Sequence, residues 1–139
     1  MVGRMLRKKK VVVNYKDWLV GDTEIPKSAP WRHRKRFATL RNRVARVAAH
    51  AGHKFTVNSG YRTYAEQAAL YDKYLHHGGN LAAVPGTSNH EGGRAMDVSD
   101  RGKPIGNSSR NRRAMRHLGL CLPVHGEAWH VEIGNNWRA

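Results

Sequence analysis

Apolar residues recur every three or four positions between Arg34 and Ala51, at Phe37, Leu40, Val44, Val47, Ala48 and Ala51, with Arg and Lys between them. That period marks one face of an amphipathic helix, and Gly52 is placed to stop it. The pattern then shortens to alternation. In HKFTVNSG, Phe55 and Val57 share one face of a short strand that ends at Gly60. Thr63 and Glu66 have capping-box spacing and predict a helix over 64–76, buried through Ala68, Tyr71 and Leu75 and ended by Gly78-Gly79. Residues 80–93 read as loop. Alternation resumes at Arg94–Ser99, with Met96 and Val98 on one face and Ala95, Asp97 and Ser99 on the other. Asn107–Ser109 can cap a third helix running to about Leu118, with Gly119 as its stop. The last strand, AWHVEIG, puts Trp129, Val131 and Ile133 on one face and Ala128, His130 and Glu132 on the other, so Trp129 reads as core.

These elements predict an α+β fold: a small antiparallel sheet flanked by helices, with the polar residues on its edges and loops. At 139 residues with no internal repeat, the chain reads as an irregular basic segment over 1–30, closed by Pro26 and Pro30, followed by one domain over 31–139. No run of 18 apolar residues predicts a transmembrane segment. Only Val11–Val13 follow the basic start, too few for a signal-peptide core, so the expectation is synthesis in the cytoplasm without a signal peptide.

Cys121 stands alone, which excludes an intrachain disulfide and a cysteine-based zinc site; a metal would need His and carboxylate ligands. The net charge of +15 is unevenly placed. Arg4, Arg7 and Lys8–Lys10 crowd the N-terminus, Arg32–Arg46 holds seven Lys or Arg and no acid, and Arg101–Arg116 holds six and no acid. Such a surface attracts polyanions such as nucleic acid, phosphate-rich wall polymers or an anionic membrane face. No base-reading motif or stacking platform accompanies the charge, so a specific nucleic-acid partner is not expected.

The candidate chemistry lies on the strands. Asp97 stands opposite the apolar pair of its strand, His130 opposite the bulky residues of the last strand, and the loop before Asp97 supplies His90 in GTSNHEGGRAMDVSD. A His-Asp-His set is of the kind that holds catalytic zinc while leaving a position for water. A single carboxylate ligand leaves the ion net positive and strongly Lewis-acidic. Such a water needs a base. Glu127 lies three residues before His130, and from a regular strand it would point away, so it must sit on the turn at Gly126 to reach the metal.

SGYRTYAEQ, SNHEGGRAMD and EAWH together resemble the signatures of the VanY-like D-alanyl-D-alanine carboxypeptidases and their relatives, the L-alanyl-D-glutamate endopeptidases found as phage endolysins. Ser88, His90, Gly93, Ala95 and Asp97 meet the Ser-x-His-x-x-Gly-x-Ala-x-Asp pattern, and Glu127, Trp129 and His130 meet Glu-x-Trp-His; the likeness spans about Phe55 to Ile133. It implies a Hedgehog/D,D-peptidase-like fold with a zinc site on the open face of the sheet. It further implies a monomeric zinc peptidase cutting peptidoglycan stem peptides, with one zinc on His90, Asp97 and His130 and Glu127 as base and later proton donor. Arg62 would bind the scissile carbonyl and its oxyanion, with Gln67, Ser88 and Tyr61 as substrate contacts. The expected activity is that of an L-alanyl-D-glutamate endopeptidase acting as an endolysin in the wall of a phage-infected host. The alternatives are a D-alanyl-D-alanine carboxypeptidase and a zinc-stabilised wall-binding module. No wall-binding repeat is visible, which leaves anionic wall polymers to the basic surface.

Overall fold

The protein was analysed as a computed structural model that describes residues 12–139. The basic cluster Arg4 to Lys10 lies outside the described residues. Three helices, α1 (Trp31–Ala51), α2 (Tyr64–His76) and α3 (Ser109–His117), accompany six strands. The strands are β1 (Leu19–Gly21), β2 (Phe55–Ser59), β3 (Ala95–Asp100), β4 (Lys103–Pro104), β5 (Leu120–Cys121) and β6 (His130–Ile133).

The sheet runs β1-β2-β3-β6-β5, with β4 paired to β3 beside that path. All pairings are antiparallel except β1 with β2, which is parallel. The sheet is therefore mixed, where antiparallel pairing was expected. The difference comes from the first 30 residues, expected as irregular. Leu19 pairs with Phe55 and is buried in the core, because a short apolar stretch flanked by polar residues can add an edge strand without showing a full alternation.

One face of the sheet carries the core. Phe37, Leu40, Val44, Val47 and Ala48 of α1 and Ala114 and Met115 of α3 pack on Phe55, Val57, Met96, Val98 and Val131. The period of α1 is thus that of its buried face, and Gly52 closes the helix in the left-handed region at φ 82°. Burying these side chains stabilises the domain by about 1.5–3 kcal/mol for each large one.

The second helix departs from its expected packing. Its capping box is formed, with Thr63 Oγ1 accepting from Glu66 N–H and Glu66 Oε1 accepting from Thr63 N–H. Its buried residue, however, is Gln67, while Ala68 and Tyr71 are half-buried and Leu75 is 51% exposed. This helix borders the polar side of the molecule, so the position facing inward needs hydrogen bonds more than apolar area. Gln67 supplies them.

Candidate active site

Asp97 sits at the middle of the sheet, opposite Ser59 of β2 on one side and His130 of β6 on the other. The β2–β3 register shifts between Val57 and Ser59, next to this position. Strand alternation sends Met96 and Val98 into the core and turns Asp97 to the other face. His130 stands beside it for the same reason.

His90 arrives from the loop preceding β3. Gly93, at φ 74°, lets that loop pass against α1: a Cβ there would lie 2.6 Å from the His33 carbonyl oxygen. Three loop contacts hold the approach. Glu91 accepts from the backbone N–H of Gly86 and of Ser88, and Ser88 Oγ accepts from His90 N–H.

One nitrogen or oxygen from each of His90, Asp97 and His130 lies within 4.8 Å of the others. Asp97 Oδ1 is 3.4 Å from His90 Nε2 and 3.3 Å from His130 Nδ1. Donors about 2.0–2.2 Å from a tetrahedral ion are about 3.3–3.6 Å apart, so both spacings suit zinc. The other nitrogen of each ring is already taken. His90 Nδ1 bonds the Gly60 carbonyl at 2.9 Å, and His130 Nε2 bonds Glu132 Oε2 at 2.7 Å. Each imidazole is thereby left with one nitrogen directed at Asp97, the arrangement that metal-ligating histidines adopt.

Asp97 Oδ1 is buried and has no hydrogen-bond partner. A buried carboxylate oxygen costs several kcal/mol unless a charge or donor compensates it. The two imidazoles, 3.4 and 3.3 Å away, supply such charge when protonated. Burial pushes the Asp97 carboxyl up, but the two imidazoles outweigh it and hold its pKa at about 2. Burial disfavours charge on His130 as well, yet Asp97 and Glu132 raise its pKa to about 9. The cluster draws positive charge, and the donor set fits a zinc ion.

The donors lie in a cleft of about 870 Å³ that is also lined by Arg62, Gln67, Ser88, Glu127 and Trp129. Glu127 stands on the turn before β6, held by Glu127 N–H to Val124 O and by His130 N–H to Glu127 O. Its Oε1 is 3.9 Å from His130 Nδ1, and its side chain lines the same cleft. Arg62 donates to Gln67 Oε1 at 2.8 Å and Ser59 Oγ at 2.6 Å, both neutral acceptors that leave its charge uncompensated. Gln67 Nε2 in turn donates to Ala83 O, tying α2 to the loop along the cleft.

One expected contact lies outside the cleft, and one expectation is corrected. Tyr61 does not line this cleft: its hydroxyl lies 3.0 Å from His33 Nδ1, and its ring packs near Phe37. The residue belongs to the turn after β2, which faces α1. Trp129, expected in the core, is 37% exposed and lines the cleft. β6 begins only at His130, so the alternation that would bury Trp129 does not reach it.

Sequence reasoning missed three supporting residues. Ser59 holds Arg62. Glu132 holds His130, and its place two residues along the same strand face was the available signal. Asp22 accepts from Gly60 N–H at 2.8 Å, anchoring the residue whose carbonyl meets His90 Nδ1. No sequence pattern marks that contact.

An α+β sheet bearing a His-Asp-His donor set, with a further carboxylate at its rim, defines a metal-dependent hydrolase. The family described as VanY, D-alanyl-D-alanine carboxypeptidase, matches residues 31–121, and the chain belongs to it. The matched span stops before Glu127 and His130, which the fold itself brings to the site. No curated protein gives a significant match. Among solved structures, the LdcB LD-carboxypeptidase, described for its peptidoglycan recognition, is similar in fold: TM-score 0.56 and 22% identity over 85% of this chain and 68% of that one. A VanY D,D-pentapeptidase from a VanB-type vancomycin-resistance cassette, in complex with Zn(II), aligns with TM-score 0.44 and 20% identity over 88% of this chain and 89% of that one.

Proposed function

We propose that the protein is a zinc-dependent peptidase that hydrolyses peptidoglycan stem peptides. The observation that carries this reading is the buried Asp97 oxygen, without a hydrogen bond, set between two imidazole nitrogens whose far sides are already bonded. Zinc held by His90, Asp97 and His130 supplies Lewis acidity and brings the pKa of water toward neutrality. Glu127, beside His130 on the cleft wall, takes the proton from the attacking water and passes it to the departing amine. Arg62 donates to the scissile carbonyl oxygen as negative charge develops there. Ser59 and Gln67 fix the guanidinium in place without neutralising it. Ser88 shapes the turn before His90.

Two bonds are in question. The family description favours the terminal D-alanyl-D-alanine bond. The likeness of SGYRTYAEQ, SNHEGGRAMD and EAWH to the endolysin relatives supports an internal bond and an L-alanyl-D-glutamate endopeptidase working as an endolysin on the wall. Digestion of purified peptidoglycan with product mass spectrometry separates them. Free D-Ala identifies the carboxypeptidase, and a new D-Glu amino terminus identifies the endopeptidase. No release by zinc-loaded protein would leave a wall-binding module.

The basic surface adds a partner for the same setting. Arg110, Arg113 and Arg116 are exposed on α3, which packs on the cation-rich α1, away from the cleft. Among the described residues none of these three arginines is ion-paired with a carboxylate; Arg116 lies over the Trp137 ring. They suit an anionic wall polymer. Binding of a poly(glycerol phosphate) should weaken steeply with salt and fall in an Arg110→Gln, Arg113→Gln, Arg116→Gln variant that still cleaves soluble stem peptide.

A further inference from the structure

Glu132 lies two residues past His130 on β6, and the alternation of the strand puts both side chains on the cleft side. A single oxygen of Glu132, Oε2, accepts two hydrogen bonds: from His130 Nε2 at 2.7 Å and from Asn89 Nδ2 at 2.9 Å. These donors belong to the two elements that carry the imidazoles. His130 is itself one metal donor, and Asn89 immediately precedes the other, His90.

We propose that Glu132 is the positioning residue of the metal centre, a clamp that sets both histidines at once. This rests on the zinc reading of the donor set. A neutral imidazole carries its proton on one nitrogen and its lone pair on the other. By accepting from Nε2–H, Glu132 keeps the proton on the far side of His130 and presents Nδ1 toward Asp97. By accepting from Asn89, the same oxygen ties the His90 loop to β6, so the separation of the two rings is set through one atom. The carboxylate also makes the His130 ring a stronger donor. The corresponding support of His90 is a backbone carbonyl, that of Gly60, which no side-chain substitution removes. Glu132 is thus the half of the second layer that mutation can reach, and its side chain is mostly shielded from water, at 18% exposure.

The test measures zinc affinity of the full chain by competition with a chelating dye, together with the visible spectrum of the cobalt(II)-loaded protein. Glu132→Ala should weaken zinc binding by about 10–100-fold and alter the cobalt bands. Glu132→Gln, whose amide oxygen still accepts from Nε2–H, should recover most of that loss. Asn89→Ala should lose less, because it frees the loop and leaves the His130 bond intact. Zinc affinity unchanged in Glu132→Ala, with a lower unfolding temperature in loaded and unloaded protein alike, would make Glu132 merely structural and overturn the clamp. Asn89 is exposed, so Asn89→Ala carries the test if Glu132→Ala does not fold; unaltered affinity there removes the coupling between the two rings. Absence of zinc uptake by the wild type would instead bring down the reading of the site itself.

Discussion

Strand β3 carries two aspartates three residues apart, each beside a histidine, and the two clusters have opposite characters. Asp100 is satisfied on both oxygens: His53 Nε2 lies 2.6 Å from Oδ1, and Asn111 Nδ2 donates to Oδ2 at 2.8 Å. Arg101 reaches the far nitrogen of His53 at 2.8 Å, completing a closed network near the end of the strand. Asp97 faces two imidazole nitrogens, yet its buried oxygen has no hydrogen-bond partner, and both rings are bonded on their far sides. In the first cluster both oxygens of the aspartate are filled, and the orphaned atom is a neutral amide oxygen, Asn111 Oδ1, rather than a carboxylate facing two imidazoles. The second has three donors converging on one point. Proximity of Asp and His therefore marks a metal site only where the set remains incomplete without an ion.

The largest effect is expected at Asp97. Asp97→Asn should abolish peptidase activity and reduce zinc affinity by more than the 10–100-fold expected for a supporting residue, as read by dye competition and by assay on stem peptide. Zinc uptake should raise the unfolding temperature of the wild type by mass action and leave that of Asp97→Asn unmoved. Next in size is Glu127→Gln. Removing the proton carrier should lower kcat by about 10²–10⁴-fold, with zinc affinity near that of the wild type.

Asp100→Asn should behave in the opposite way. It should cost about 1–3 kcal/mol of stability in chemical denaturation, because a half-buried charged acceptor is lost, and leave zinc affinity unchanged. Its pH dependence has a definite sign. Burial pushes the Asp100 carboxyl up, but Asn111, His53 and Arg101 outweigh it and hold the pKa below the ordinary carboxylate value. The stability it contributes is therefore full above that ordinary value and is lost as the pH falls through the lowered one. Wild type and Asp100→Asn should converge in unfolding free energy as acid is added below about pH 4. The smallest structural effect is expected at Trp129. Trp129→Ala should change stability by about 0.5 kcal/mol or less, as an exposed side chain does, while raising KM for stem peptide through its place on the cleft wall.

What could be read from the sequence follows from how local each cause is. The faces of β3 and β6 are fixed by alternation alone, so Asp97 and His130 were legible as a pair opposite the core residues Met96, Val98 and Val131. The buried face of α1 and the capping box of α2 were legible for the same reason. Trp129 was misplaced because alternation was extended one residue past the start of the strand. The interior of α2 was misjudged because its neighbour is a polar cleft; Gln67 is buried for its hydrogen bonds to Arg62 and Ala83. Leu19 and Asp22 were missed because a three-residue strand has too few positions to declare a period. Their partners, Phe55 and Gly60, lie more than thirty residues away.

The most direct test of the account is an anomalous difference map of zinc-soaked crystals, with data collected on both sides of the zinc absorption edge. One peak is expected, enclosed by His90 Nε2, Asp97 Oδ1 and His130 Nδ1, and none at His53 and Asp100. No peak among the three donors in fully soaked crystals would contradict it.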